Sequence, residues 1–444
     1  MDLRRLIPSL SGPGVAATLT RGAGAALGVR VLSVFVNFAF HLVLARSVSL
    51  DSYGEYVYAF SWSMIAAFIG RSGMQIAVVR YTSRYVHACS WSMLRGLRTG
   101  SLVTVLLAST GVASIASACA WALGVTLDDG AGRAIYLAFF VSPLFSLLGV
   151  FEGLIRGLAR PVSAIVADGV LRPFIAAFAV LAFTTLHRSP SAAETLAVTG
   201  LAALLALGYA VAALRQAWPD EARSVDRDIS ELRSWLLLGL MLLLMGGMSL
   251  VHSRADTIML GILSDPSEVG LYAAASRFGQ LMVVPLQAVN LVAAPMIARA
   301  HAAGASRDIQ RIASTSAGLI AIVTIPIAVI LLAFSSLILR LFGDQYAAGD
   351  AALEWIVIGQ LINACSGSVA FLLTMTRHES SAALCTAAAA ISNVCLNLVL
   401  VPRFGAQGAA ASTACAVAIQ NLGMLFVVRR LIGIDPTIYS FLRR

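Results

Sequence analysis

Long apolar stretches follow one another along almost the whole chain, separated by short polar connectors. A membrane-spanning α-helix needs about 20 mostly apolar residues. The pattern therefore predicts an all-α polytopic membrane protein with twelve transmembrane helices. The predicted spans cover residues 24–45, 55–79, 97–123, 134–156, 161–186, 194–214, 235–260, 270–297, 312–338, 352–376, 380–401 and 407–428.

A short unit occurs twice, at residues 44–59 and 260–275. Each copy begins with a Leu and later carries Gly, any residue and Tyr, and each lies between two long apolar stretches. A helix–connector–helix unit used twice indicates a duplicated bundle, so we expect two pseudo-symmetric six-helix lobes around a central cavity. The predicted divisions are a cytoplasmic N-terminal segment (1–23), an N-lobe (24–214, spans 1–6), a cytoplasmic linker (215–233), a C-lobe (234–430, spans 7–12) and a cytoplasmic tail (431–444).

Composition and charge agree with a membrane protein. Hydrophobic residues make up 59% of the chain and charged residues 12%, whereas soluble domains are about a quarter charged. The basic residues are all arginine and concentrate in alternate connectors and both tails, which places both termini in the cytoplasm. The net charge of +9 is then a topology signal and an attraction to anionic inner-leaflet lipid, and no nucleic-acid partner is predicted. Pro8 and Pro13 interrupt the apolar run that a signal peptide requires.

Motifs for catalysis are missing from the sequence. The six cysteines show no metal-ligand spacing, and no nucleophile elbow, phosphate-cradling glycine loop or zinc motif occurs. We therefore predict neither an enzyme nor a bound cofactor or metal.

Five arginines lie within predicted spans: Arg30, Arg71, Arg172, Arg254 and Arg277. Each costs about 2.5–3.5 kcal/mol at the centre of a lipid-facing helix, so they should face protein, a water-filled cavity or the interface. Arg30, Arg71 and Arg277 have no carboxylate within a helical turn, and a guanidinium group matches phosphate oxygens bidentately. These three are the predicted phosphate-binding residues.

Other polar residues recur at helical spacing within the spans. The predicted cavity-lining polar residues are Asn37, His41, His252, Gln280, Gln287 and Asn363. Polar stripes of this kind also bond helices to one another, and that alternative stays open. Two interpretations likewise stay open for Asp168, Arg172, Arg254 and Asp256: structural ion pairs, or a site for a coupling sodium ion or proton.

Three segments, at residues 37–56, 254–295 and 341–410, resemble bacterial polysaccharide-biosynthesis flippases of the multidrug/oligosaccharidyl-lipid/polysaccharide exporter superfamily. The features shared are Tyr53-Gly54-x-Tyr56, Arg254-x-Asp256 followed by Val269-Gly270-x-Tyr272, and Val401-Pro402-Arg403-x-Gly405. The resemblance implies alternating-access transport of a polyprenyl-pyrophosphate-linked oligosaccharide across the bacterial inner membrane. It leaves open whether the protein works beside a polysaccharide polymerase and chain-length machinery.

The stretch from Tyr272 to Pro285 is also similar to one in lipid II flippases, where an arginine faces the cavity, and Arg277 matches that position. The chain lacks an added pair of helices after span 12, which favours repeat units of O-antigen, capsule or exopolysaccharide as substrate.

Two other functions are alternatives to a flippase. A cation-coupled multidrug exporter of the same superfamily would use an acid in the cleft, for which Asp256 is the best choice. A membrane enzyme that joins repeat units would need chemistry outside the membrane, and the short outside connectors argue against it.

Overall fold

The computed structural model of the chain describes residues 13–186 and 189–442, and this part is helical throughout apart from its connectors. The α-helices are α1 (Pro13–Ser47), α2 (Leu50–Gly70), α3 (Met74–His87), α4 (Trp91–Ala122), α5 (Gly130–Gly157), α6 (Pro161–Ile165), α7 (Arg172–Thr185), α8 (Ala192–Ala217), α9 (Leu232–Leu263), α10 (Pro266–Ala302), α11 (Ser306–Ala333), α12 (Ser335–Leu339), α13 (Asp350–Ser366), α14 (Val369–Met375), α15 (Glu379–Leu431) and α16 (Ile438–Leu442). A π-helical segment, Val166–Leu171, joins α6 to α7.

Several helices begin at side chains that cap their free N–H groups. The Ser49 hydroxyl accepts a hydrogen bond from the Ser52 N–H at the start of α2. Ser191 and Glu194 form a reciprocal capping box at the start of α8. Pro266 occupies the first turn of α10, where its missing N–H costs nothing. The connectors therefore fix where these helices begin.

Among the described residues, eight helices are long and apolar enough to cross a membrane, or ten if each of two bent helix pairs counts as one span. A multi-pass membrane protein is thus confirmed, while the predicted number of twelve exceeds this range. One reason is α15, which has 53 residues. It would be about 80 Å long if straight, far beyond the roughly 30 Å hydrocarbon core. Gly405, with φ 51° and ψ −129°, interrupts its helical backbone between the predicted spans 11 and 12.

Both bent pairs break at a glycine. α2 and α3 differ in direction by 43° across Gly73, which has φ +68°. The helical segment that ends at Ser366 and α14 differ by 43° across Gly367, which has φ +72°. Residues with a side chain rarely adopt these dihedrals, so glycine permits a sharp bend once in each half of the chain.

The two halves, residues 24–217 and 232–442, meet mainly through α2 and α10. A Cβ placed on Gly54 would lie 1.8 Å from the carbonyl oxygen of Pro266, and one on Gly270 would lie 2.8 Å from that of Leu50. The repeated glycines therefore let the two copies of the duplicated unit pack backbone against backbone. This contact is at the end of the bundle where α1 joins α2 and α9 joins α10, which we call the Ser49 end.

An aromatic cluster extends the contact at the Ser49 end. The Phe38 ring meets the rings of Phe278 at 5.2 Å and Phe342 at 5.7 Å. The Tyr53 ring meets that of Tyr346 at 5.9 Å. In addition, Arg46 donates from Nε to the Leu341 carbonyl oxygen at 2.6 Å. Residues from both halves are thus interleaved at this end.

The linker between the halves packs onto the N-terminal half. The Asp228 N–H donates to the Ser92 carbonyl oxygen at 3.1 Å. Tyr85 of α3 donates its hydroxyl to the Glu231 carboxylate at 2.6 Å and accepts from the Trp235 indole N–H at 2.8 Å. Almost all of α9 falls in the predicted C-lobe. Its first turns nevertheless lie against α3, and its later part contacts α15. This helix therefore bridges the two halves.

We predict that Gly54→Ala lowers the stability of the detergent-purified protein by about 1–3 kcal/mol, because the added methyl group forces α2 and α10 apart. The check is a thermal or chemical unfolding curve. Gly208→Ala is the matched control: it is also inside a helix, but nothing lies within 4 Å of its Cβ position. That variant should keep or raise stability, since Ala is the better helix former. Equal curves for Gly54→Ala and the parent protein would contradict the close packing.

Candidate substrate cavity

A cavity of about 300 Å³ lies within the C-terminal half, next to the boundary with α2. Val57 is its contribution from α2, and the other lining residues come from α9, α10, α13 and α15. They are Ser253, Arg254, Asp256, Thr257, Tyr272, Ala273, Ser276, Arg277, Gly279, Gln280, Val283, Ile356, Gln360, Thr413 and Val417. The cavity thus mixes charged, amide, hydroxyl and aliphatic groups.

Arg277 reaches the cavity from the first third of α10. Its Nε is buried without a hydrogen-bond partner. No acid pairs with Arg277 in the part of the chain that the structure describes. A buried N–H group without an acceptor costs about 1–3 kcal/mol, so this side chain is left in need of an acceptor.

Arg254 lines the same cavity from α9. Its charge is repelled by those of Arg277 and Arg172, and no hydrogen bond or ion pair of Arg254 occurs between described residues. From the sequence, Arg254 is a candidate either for a structural ion pair or for a coupling-ion site, together with Asp168, Arg172 and Asp256. The structure instead brings Arg254 and Arg277 to one cavity as two cations without a paired acid.

Asp256 also lines this cavity, but its hydrogen-bond partners are neutral groups. One carboxylate oxygen accepts from the Asn393 and Asn397 amides, each at 2.7 Å. The other oxygen accepts from the hydroxyls of Thr413 at 2.7 Å and Tyr272 at 3.0 Å. The side chain is 5% exposed. Asp256 is therefore a buried carboxylate held by neutral donors from α10 and α15.

In the N-terminal half, Arg172 and Arg71 have partners within the fold. Arg172 of α7 forms an ion pair with Asp168 at 2.6 Å and lies over the rings of Phe60 and Phe145. The Arg71 guanidinium donates to the Gln75 side chain at 2.8 Å and to the Phe145 carbonyl oxygen at 3.1 Å. These contacts are partners within the fold, although the Nε of Arg71, like that of Arg277, is buried without one. Neither Arg71 nor Arg172 lines the cavity.

Glu152 continues this network, since its carboxylate accepts from Gln75 at 3.3 Å and meets Arg156 at 4.0 Å. Arg30 is exposed on α1 and also lies outside the cavity lining. Of the three predicted phosphate-binding arginines, the structure therefore places Arg277 in the cavity and the other two elsewhere in the N-terminal half.

The predicted cavity-lining polar residues divide in the same way. Gln280 lines the cavity, and Asn363 lies beside it, donating to the Gln360 side chain at 3.2 Å. Gln287 is exposed and Asn37 half-buried, both outside the lining. His41 is buried, and its Nδ1 lies 3.2 Å from the Tyr53 hydroxyl in the aromatic cluster. The side chain of His252 lies outside the described part of the chain.

Sequence reasoning missed several residues of this site. Gln360 and Thr413 were not singled out, nor were the two asparagines that hold Asp256. Asn393 and Asn397 are four residues apart in a very apolar helix. That spacing puts both amides on one face and was the available signal.

We predict that Asp256→Ala destabilises the protein by about 1–3 kcal/mol for each asparagine amide that it leaves without an acceptor. Asp256→Asn should cost much less, because its side-chain oxygen can still accept from both amides while its NH₂ donates to the two hydroxyls. Unfolding curves of both variants provide the measurement. If the Ala and Asn variants unfold alike, the four hydrogen bonds do not hold the site together.

Comparisons with known proteins support the fold and the family. A family model described as "Polysaccharide biosynthesis protein" matches residues 19–301, and one described as "MatE" matches residues 239–419. A curated relative is the probable low-salt glycan biosynthesis flippase Agl15 of Haloferax volcanii, 24% identical over 172 residues. That match covers 38% of this chain and 36% of the relative, so the chain spans about a third of it.

Solved structures resemble the whole chain at low sequence identity. The inward-facing conformation of a multidrug resistance MATE family transporter has a TM-score of 0.73 at 14% identity and covers 93% of this chain and 98% of that one. The lipid II flippase MurJ in an inward closed conformation has a TM-score of 0.69 at 14% identity, over 96% and 89% of the two chains.

A transporter of the MOP superfamily from Pyrococcus furiosus gives a TM-score of 0.65 at 14% identity, over 93% of this chain and 95% of that one. These likenesses show a MATE-like fold. The first family model covers more than half of the sequence, which confirms the predicted resemblance. The chain therefore belongs to the polysaccharide biosynthesis protein family.

Proposed function

We propose that the protein is a flippase that moves a polyprenyl-pyrophosphate-linked oligosaccharide across the membrane by alternating access. The observation that carries the proposal is the pair Arg254 and Arg277, which line one intramembrane cavity without a paired acid. The family match and the glycan flippase among the relatives support the same class of substrate.

The energetics of these arginines favour an anionic ligand. An unpaired guanidinium in a membrane interior is costly. The acid of the cavity lining, Asp256, already accepts hydrogen bonds from four neutral donors. A pyrophosphate brings several oxygens that accept charge-assisted hydrogen bonds, often bidentately from arginine. Binding the substrate would therefore supply acceptors to both guanidinium groups.

The other arginines have supporting parts in this proposal. Arg30, exposed on α1, would meet the anionic lipid before it reaches the cavity. Arg71 would keep its contacts with Gln75 and the Phe145 carbonyl and add only long-range positive potential. The polyprenyl tail would stay in lipid, since it is apolar.

The proposed topology has twelve spans in two six-helix lobes, with α15 divided at Gly405 into the last two. By the arginine distribution both termini are cytoplasmic, and the membrane is the inner membrane of a bacterium. The Ser49 end is then the outer end, where Gly54 and Gly270 bring α2 and α10 into contact. In this conformation the cavity would be closed towards the outside.

The multidrug exporter is the weaker alternative. It needs a carboxylate free to meet a cationic drug, whereas both oxygens of Asp256 already accept hydrogen bonds. As a buried acid with only neutral partners, Asp256 suits a coupling proton or sodium ion better. The drug-resistance profile of a deletion strain separates the two functions, because a flippase mutant should lose surface polysaccharide and keep its drug resistance.

We predict that the double variant Arg254→Ala/Arg277→Ala lowers polymer export at least tenfold in a deletion strain, at matched protein levels. The reason is that each arginine contributes charge-assisted hydrogen bonds of about 1.5–3 kcal/mol, and 1.4 kcal/mol corresponds to a factor of ten. Surface polysaccharide is measured by blot or by sugar analysis.

Arg307→Ala is the matched control, since Arg307 is an exposed arginine at the start of α11, outside the cavity lining. It should export at the parent level. Full export by the double variant would show that these arginines do not bind the substrate.

A further inference from the structure

On the α10 and α13 sides of the cavity, the lining beside Arg277 carries amides, while the carboxylate of the lining, Asp256, comes from α9. Gln280 follows Arg277 by three residues on α10, so the two side chains share a face. Gln360 faces the same cavity from α13. The two amides are thus within one cavity with the proposed pyrophosphate site.

Both amides have hydrogen-bonding capacity left over. Gln280 makes no hydrogen bond to any described residue, although its side chain has two donors and an acceptor. Gln360 accepts from Asn363 at 3.2 Å through its oxygen, which leaves its NH₂ group unused within the described chain. The Gln280 side chain is exposed and that of Gln360 half-buried. Neither bonds to a described residue of a neighbouring helix, as an amide that merely joins helices would.

The cavity lining also contains aliphatic side chains. Val283, Ile356 and Val417 contribute aliphatic groups to the lining. A Cβ on Gly279 would lie 2.5 Å from a methyl carbon of Ile356, so α10 and α13 approach closely behind Gln280. This wall combines fixed aliphatic patches with uncharged donors and acceptors.

That combination suits a sugar. Sugar hydroxyls both donate and accept, as amides do, and the C–H faces of a sugar ring pack on aliphatic side chains. A volume of about 300 Å³ is at the lower end for ligand pockets, which limits the contents to the pyrophosphate and little more than its attached sugar. The remaining sugars must extend beyond this cavity.

Resting on the proposed function, we propose that Gln280 and Gln360 form a saccharide subsite that recognises the first sugar attached to the pyrophosphate. Asn363 is a positioning residue, because its hydrogen bond orients the Gln360 amide. Arg254 and Arg277 bind the charge common to all such lipids, whereas the two glutamines discriminate between sugars.

The test uses purified full-length protein and two probes: undecaprenyl diphosphate, and the same lipid carrying a single N-acetylhexosamine. Native mass spectrometry in detergent gives the ratio of their affinities. The parent protein should prefer the glycosylated probe. Gln280→Leu/Gln360→Leu should lower that preference about tenfold, which corresponds to two neutral hydrogen bonds, so it should weaken binding of the glycosylated probe far more than binding of the bare lipid. Asn363→Leu should lower the preference about threefold.

Gln407→Leu is the matched control, because Gln407 is an exposed amide of α15 outside the cavity lining; it should behave as the parent. The subsite is refuted if the double glutamine variant weakens both probes equally, if it leaves the affinity ratio unchanged, or if the parent shows no preference.

Arg277→Ala separates this inference from the proposed function. It should weaken both probes by the same factor if the arginine binds the pyrophosphate. If bare-lipid binding survives Arg277→Ala while the glutamine variant still changes the ratio, the pyrophosphate site is wrong and the saccharide subsite stands.

Discussion

The poor solvation of a guanidinium group in a membrane constrains this structure more than any other interaction. Every arginine within a span must find an acceptor, an aromatic face or water. In the N-terminal half the fold supplies such partners, as for Arg172 with Asp168. In the C-terminal half Arg254 and Arg277 reach a cavity where the local acid is already engaged. That Arg254 and Arg277 have no paired acid among the described residues is the observation from which we infer an anionic substrate.

The asymmetry between the two halves is visible around the repeated unit at residues 44–59 and 260–275. Gly54 and Gly270 are equivalent positions of the two copies and pack the copies together, so their role is shared. Arg277 has no such equivalent, because Ser61 occupies the corresponding position in the first copy, where its hydroxyl donates to the Val57 carbonyl oxygen. The two copies of the repeated unit thus share the packing glycines but differ at the position of the cavity arginine.

Sequence periodicity was enough to predict what depends on local pattern. The helices and the membrane class follow from the length of the apolar stretches. It also placed Gln280 with Arg277, because three residues along a helix share a face. Arg254 could not be placed this way: it is two residues from Asp256, which puts the two on different faces of an isolated helix, and only the packing of α9 between its neighbours brings both to one cavity.

Contacts between residues far apart in the sequence could likewise not be predicted from it. Asn393 and Thr413 meet Asp256 across 137 and 157 residues of chain, and the break at Gly367 depends on a positive φ that sequence does not record.

The most direct test of the central claim is a transport measurement in vesicles. Purified protein is reconstituted with undecaprenyl-diphosphate N-acetylhexosamine in both leaflets, and a membrane-impermeant enzyme that acts on the sugar is added outside. If the protein is a flippase that uses its two cavity arginines, the inner-leaflet half of the lipid becomes accessible with the parent protein and stays protected with the Arg254→Ala/Arg277→Ala variant. Protection of the inner half with the parent protein, or equal access with the variant, would contradict the account.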